Sequence, residues 1–197
     1  HIMVDKKSDL IKLKGSKYVH SEIEDTFKEA KKELETGRKV IFLGMPCQIA
    51  GIQKYLNKDY ANLFTIDIIC HGVPSQKILN DYIKENLSEY AYDKISFRDK
   101  GGYNLKLIKE NETVVNIPMN ESLYYVGFMK SLFNNEVCYE CPYSNEKRIS
   151  DITIGDFLGL GEETPFTQDK SKGVSVILPN TEKRSEEHTS ELQSPSG

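Results

Sequence analysis

Apolar residues recur along this chain in two rhythms. Ile23, Phe27, Ala30 and Leu34 return at helical spacing. Ser21 and Glu24 form an S-x-x-E capping box ahead of them and Gly37 a stop behind, so a helix is expected to open after Ser21. Glu24 and Lys28 add a favourable i,i+4 pair. Residues 39–43 (KVIFL) are instead a short unbroken apolar run, halted by Gly44-Met45-Pro46-Cys47, and read as a buried strand. Residues 48–56 return to helical spacing. Residues 63–70 (LFTIDIIC) form a second buried strand, halted by His71-Gly72-Val73-Pro74. Ser75 then caps a helix to about Tyr90, with Ile78, Leu79, Tyr82, Ile83 and Leu87 on one face.

Helix, strand, helix, strand, helix is the order of a parallel sheet with crossover helices. Beyond Tyr92 the pattern changes. Residues 95–98 read as a strand, Gly101-Gly102 as a turn, and 103–109 with 113–117 as a hairpin across Asn111-Glu112. Residues 122–133 read as a helix, 138–150 as a loop, and 151–157 and 174–178 as strands. The expected fold is therefore α/β: a parallel sheet with crossover helices, then a smaller α+β portion with a hairpin and a cysteine loop. The expected divisions are residues 1–91, 92–183 and 184–197. The last stretch, RSEEHTSELQSPSG, has one large apolar residue, Leu192, and no periodicity. It resembles the translated read-through of a sequencing adapter and is set aside as a non-native, disordered tail.

Composition narrows the function. The 197 residues carry 30 acidic and 26 basic side chains, a net charge of −4, which speaks against general nucleic-acid binding. Mean hydropathy is −0.51, and no apolar run approaches the roughly 18 residues of a membrane helix. Residues 1–14 have no continuous apolar core, so no secretory signal is read there. A cytoplasmic, reducing setting is the expectation. There, the four cysteines are better suited to metal or redox chemistry than to cross-links.

Cys47 and Cys70 occupy equivalent places, each at a turn just past an apolar strand and before a helix. In an open parallel sheet such turns share the carboxyl edge, where ligands bind. Cys138-Tyr139-Glu140-Cys141-Pro142 is a C-x-x-C loop able to bring two sulfurs to one metal. Four thiolates suit one Zn²⁺ or one iron–sulfur cluster. The plainer alternatives are that Cys47 and Cys70 are small buried hydrophobes, and that Cys138 and Cys141 are a redox pair.

Six segments carry a resemblance: GSKY (15–18), FLGMPCQIAGIQKYL (42–56), IDIICHGVPS (66–75), FRDKGGY (97–103), CYECPYSNEKRISDITIGDF (138–157) and KGVSVILPNT (172–181). In this order they resemble the coenzyme F420 hydrogenase/dehydrogenase beta subunit family, over most of residues 10–183. The resemblance implies an iron–sulfur flavoprotein oxidoreductase. Its cofactors would be a [4Fe–4S] cluster and FAD, and electrons would pass to coenzyme F420 or another low-potential acceptor. It makes Cys47, Cys70, Cys138 and Cys141 the ligands of the cluster. It implies partners such as ferredoxin, a ferredoxin-like domain, or hydrogenase or dehydrogenase subunits. Two departures stand out: Leu158 and Tyr103 take places where the family often has Trp. The chain also looks truncated relative to the family on both sides.

A flavin pyrophosphate needs N–H donors and a cation. Gly15, Ser16 and Lys17, and the helix start at Ser75, are of the right kind, although Gly-Ser turns are common without a ligand. Gln48 follows Cys47 and suits donation to a cluster sulfide or a flavin edge. His71 follows Cys70 and is either a proton donor beside a flavin or a hydrogen bond that orients the turn. Arg98 and Lys100 suit a reduced flavin or an acidic coenzyme tail. Asp156, after Gly155, suits a ribose hydroxyl or a turn. Two other functions fit the same residues: a non-enzymatic scaffold held by zinc on the four cysteines, and a truncated chain that is inactive alone.

Overall fold

A computed structural model of the chain describes residues 1–99, 102–157, 159–161, 165–167 and 173–181. Lys100, Gly101, Leu158 and the 184–197 tail, all singled out above, lie outside the described residues. The chain forms two compact units. The first comprises His1–Glu24 and His71–Cys141; the second comprises Asp25–Cys70 and Pro142 onward.

The second unit is built on a four-stranded sheet of order β1-β2-β6-β7. Its strands are β1 (Val40–Gly44), β2 (Leu63–Ile68), β6 (Ile152–Asp156) and β7 (Ser175–Pro179). The first three are mutually parallel, and β7 closes the edge antiparallel to β6. Helices α1 (Thr26–Glu35) and α2 (Pro46–Leu56) cover one face. Phe42 points to that side, where its ring lies 5.6 Å from Phe27, and Ile49 and Ile52 of α2 are wholly buried. Ile41 and Leu43 lie on the other face and are 68% and 52% exposed. The unbroken apolar run in β1 is thus half-buried rather than buried on both sides, because among the described residues of this unit the helices lie on one face.

The first unit packs helix α3 (Gln76–Asn86) and the short α4 (Leu123–Met129) on an antiparallel sheet of order β3-β4-β5. These strands span Lys94–Asp99, Gly102–Lys109 and Glu112–Pro118. Leu79, Ile83 and Leu87 from the α3 region meet Phe97, Leu105 and Leu107 from the sheet and Tyr124 and Tyr125 from α4. The hairpin turns at Glu110-Asn111, both at positive φ (50° and 69°), one residue earlier than the sequence suggested. Paired positive φ values give the twist that two-residue hairpins favour.

Several local expectations are corrected. Helix α1 begins at Thr26, and Glu24, at φ 46°, is not helical. The Ser21 capping box therefore does not form; Lys28 pairs with Asp25 at 2.7 Å instead of with Glu24. Helix α4 stops at Met129 rather than Phe133, with Ser131 at φ 53°. Helix α3 serves the antiparallel core rather than packing on the parallel sheet as a simple crossover. The connection from β2 to its parallel neighbour β6, which contains α3, runs through residues 71–141 of the first unit.

Candidate cysteine site

In the second unit, parallel pairing sets Gly44 of β1 beside Asp67 of β2. Cys47 comes three residues after the first and Cys70 three after the second, so both follow the carboxyl ends of adjacent parallel strands. Cys47 is exposed in the first turn of α2, behind Pro46 at the first helical position. Gln48 is buried, and its Oε1 accepts the Met45 N–H at 2.9 Å, which stabilises this strand-to-helix turn. Past β2, the Ile69 N–H donates to the Ile154 carbonyl at 2.9 Å, so the backbone entering Cys70 stays attached to β6. An exposed Cys47 does not suit the small-hydrophobe reading.

In the first unit, Cys138 ends a 3-10 turn (Glu136–Cys138). The Asn135 N–H donates to the Val73 carbonyl at 2.8 Å, and the Cys138 N–H donates to the Asn135 carbonyl at 2.8 Å. The Tyr139 hydroxyl donates to the Ser131 carbonyl at 2.8 Å and accepts the Asn134 N–H at 3.1 Å. Gly72 lies against this turn at φ +96°. A Cβ there would sit 2.9 Å from Asn134 Cγ and 3.4 Å from Cys138 Cβ. Only glycine meets both demands. The turn that follows Cys70 is thereby packed on the residue that carries the Cys138 sulfur.

The chain passes between its two units three times, at Glu24–Asp25, Cys70–His71 and Cys141–Pro142. None of the four cysteines is in a disulfide, and Cys70, Cys138 and Cys141 are half-buried. Among the described residues, no three His, Cys, Asp or Glu side chains stand together as a preformed metal-binding group.

The remaining singled-out residues have local partners. His71 Nε2 lies 3.1 Å from the Phe128 carbonyl, which only accepts, so this nitrogen carries the proton; Ser131 Oγ is 3.2 Å away. That hydrogen bond ties the turn after Cys70 to α4. Ser75 caps α3, its Oγ accepting the Ile78 N–H at 3.4 Å. Lys17 folds back onto the carbonyls of Lys14 (3.0 Å) and Gly15 (2.9 Å), with Gly15 at φ +90° and Ser16 half-buried between them. Desolvation there, and next the Lys94 charge, hold the Lys17 ammonium below the ordinary lysine range. The Arg98 guanidinium lies 4.6 Å from the Tyr103 ring centre. Asp156 is exposed at the end of β6, opposite Ser175.

A polar cluster in the second unit went unread in the sequence. Asp67 is 0% exposed, and its Oδ2 pairs with Arg148 Nη2 at 2.8 Å. Nη2 also lies 3.3 Å from the Ile68 carbonyl, and Arg148 Nε donates to Thr153 Oγ1 at 3.1 Å. Nearby, Asp151 Oδ2 accepts the Thr65 N–H at 2.7 Å and the Thr65 hydroxyl at 2.9 Å. The signal was present: a carboxylate inside the apolar run LFTIDIIC requires a partner, because an unpaired buried charge is very costly.

The family described as the C terminus of the coenzyme F420 hydrogenase/dehydrogenase beta subunit matches residues 37–190. The chain belongs to this family. A chain of the F420-reducing [NiFe] hydrogenase complex from Methanosarcina barkeri, in its xenon-derivatised structure, shares the fold at a TM-score of 0.53 and 20% identity. The match covers 94% of the present chain and 58% of the hydrogenase chain, so this member of the F420 hydrogenase/dehydrogenase beta subunit family spans little more than half of that length. No curated protein matches the chain as a relative. No helix among the described residues is long and apolar enough to cross a membrane.

Proposed function

We propose that this chain is the electron-transfer part of an F420 hydrogenase/dehydrogenase-like oxidoreductase, holding a [4Fe–4S] cluster through Cys47, Cys70, Cys138 and Cys141. The observation that carries the reading is the equivalent placement of Cys47 and Cys70 beyond register-paired Gly44 and Asp67. Gly72 packed on Cys138 supports it from the first unit. The chemistry of the donor set suits the group, with four cysteines outside disulfides and none of them fully buried, although among the described residues no three of them stand together. Cys47 stands in the first turn of an 11-residue helix, whose positive end favours the charge of a thiolate ligand.

When bound, such a cluster passes one electron at a time. The protein's part is to hold the thiolates in place and limit water. Gln48 holds the turn before Cys47, the His71 Nε2–H holds the turn after Cys70 on the Phe128 carbonyl, and Tyr139 clasps the C-x-x-C loop to Ser131.

FAD, coenzyme F420 or another low-potential acceptor, and a ferredoxin or hydrogenase-subunit partner in the cytoplasm complete the reading on the strength of the family. Three of the side chains suited to a flavin are engaged locally. Ser75 caps a helix, Lys17 is wrapped in backbone carbonyls, and Arg98 lies on Tyr103.

The test is anaerobic purification and reconstitution, with iron, acid-labile sulfide, zinc and flavin measured together. About four irons and four sulfides per chain are expected. Stoichiometric zinc without sulfide overturns the cluster and leaves the zinc-held scaffold. Cys47→Ser should lower iron content; unchanged iron removes Cys47 from the ligand set.

A further inference from the structure

We propose that residues 6–17 dock this chain on an anionic lipid surface. The inference is independent of the cysteine reading. Lys7–Leu13 is a 3-10 helix of the first unit, and none of its seven residues is buried. It is nevertheless a finished element. At its start the Asp9 N–H donates to the Lys6 carbonyl at 2.9 Å. At its end the Lys17 ammonium donates to the carbonyls of Leu13 (3.4 Å), Lys14 (3.0 Å) and Gly15 (2.9 Å), groups that a helix terminus otherwise leaves to water.

With three residues per turn, side chains three apart stand in one column. Leu10 and Leu13 share a column with Lys7, and Ile11 shares the next with Lys14. Asp9 and Lys12 occupy the third column and pair at 2.8 Å. One flank is therefore aliphatic, with Leu10, Ile11 and Leu13 exposed by 51%, 65% and 47%, and a lysine stands at each end of it. So short a helix gains little from its own hydrogen bonds, and an aliphatic flank held in water gains nothing from burial.

Charge identifies what covers that flank. Residues 6–17 hold five lysines and one aspartate, a net of +4, while the rest of the chain has 21 basic and 29 acidic side chains, a net of −8. An anionic surface attracts this segment and repels the remainder, so the charge also fixes which side approaches. A protein groove reads apolar anchors spread over two turns or more of a helix. Here the three aliphatics fall within four consecutive residues. They suit shallow entry among lipid headgroups, while the exposed Lys6, Lys7 and Lys14 keep their charges at the surface on flexible stems.

The experiment uses the full chain with vesicles of phosphatidylcholine alone, or of phosphatidylcholine and phosphatidylglycerol in equal parts. Binding is read by co-sedimentation at low salt and at about 0.5 M NaCl. Wild type should bind the mixed vesicles about tenfold or more tighter than the neutral ones, and weaken in high salt. Leu10→Asp/Ile11→Asp alters exposed positions only, so its melting temperature should match wild type while its binding falls about tenfold. Lys7→Gln/Lys14→Gln should lose a similar amount, together with much of the salt dependence. The chain has no Trp, so Ile11→Trp supplies a single reporter whose emission should shift to the blue on mixed vesicles. Wild type that stays in solution beside mixed vesicles overturns the inference. Binding lost in the glutamine pair but kept in the aspartate pair also overturns it, since charge alone would then suffice. If wild type ignores vesicles yet self-associates in sedimentation velocity, and the aspartate pair does not, the flank belongs to a second copy and the lipid reading falls. Should the aspartate pair fail to fold, Ile11→Trp decides: an unshifted emission overturns the inference and a blue shift upholds it.

Discussion

The two units hold themselves together by different means. In the first, aliphatic and aromatic side chains close on one another, and the buried tyrosine hydroxyls find backbone carbonyls. Tyr124 donates to the Tyr18 carbonyl at 2.7 Å and Tyr125 to the Phe97 carbonyl at 3.0 Å. In the second, the contact between β2 and β6 is inlaid with buried polar groups: Thr65, Asp67, Ser150 and Thr153. Packing is forgiving in direction and scales with the volume filled, whereas buried hydrogen-bonded networks are intolerant of losing one member. The first unit should answer to changes in size, the second to changes in a single polar atom.

The largest effect expected from size is Leu107→Ala. Leu107 of β4 is 0% exposed and belongs to the hydrophobic core of the first unit. Truncation leaves a cavity and should cost about 2–5 kcal/mol, read by chemical or thermal denaturation. If units melt separately, the first transition should move and the second should not. A loss below about 1 kcal/mol would mean that the antiparallel core collapses to fill the gap, contrary to the packing described.

Gly72→Ala should come next and tests the turn beside Cys138. The new methyl meets the Asn134 side chain, and φ +96° is strained for any residue with a Cβ. A cost of about 1–3 kcal/mol is expected. Because the strain sits beside Cys138, a reconstituted sample should also retain less iron than Ser75→Ala, which loses only the α3 cap at a cost of about 1 kcal/mol. Equal retention in the two variants would separate Gly72 from the cysteine site.

Much of this was legible in the chain. The two unbroken runs before Cys47 and Cys70 gave the parallel pair β1–β2, and their shared ending in Gly/Pro turns gave the common edge. The change of pattern past Tyr92 gave the hairpin. What escaped reading was long-range. Nothing local marks α3 as belonging to the antiparallel core, because its apolar face would serve either sheet. Ser21 and Glu24 have the chemistry of a capping box, but the backbone takes a positive φ at Glu24 and the helix waits for Thr26. Asp67 announced a need for a counter-charge, yet its partner lies 81 positions away, and several of the chain's basic residues suit the role equally well.

The smallest effect at ordinary pH, and the one that separates the units most cleanly, is the response to base. Both fully buried tyrosines are in the first unit. Burial pushes Tyr124 well above the ordinary phenol range; for Tyr125 burial does the same first, then the neighbouring Tyr18, with Arg98 opposing. The folded state therefore holds these protons more tightly than the unfolded chain, in which tyrosine titrates near pH ~10. The stability they contribute is complete below that value and is lost progressively as pH rises above it. Wild-type melting temperature should accordingly fall between about pH 9 and pH 11.5. The double replacement Tyr124→Phe/Tyr125→Phe should start lower, having lost two hydrogen bonds, and then fall less steeply. Parallel slopes for the two proteins would show that these hydroxyls ionise without loosening the core, and would remove the distinction between a unit held by packing and a unit held by charge.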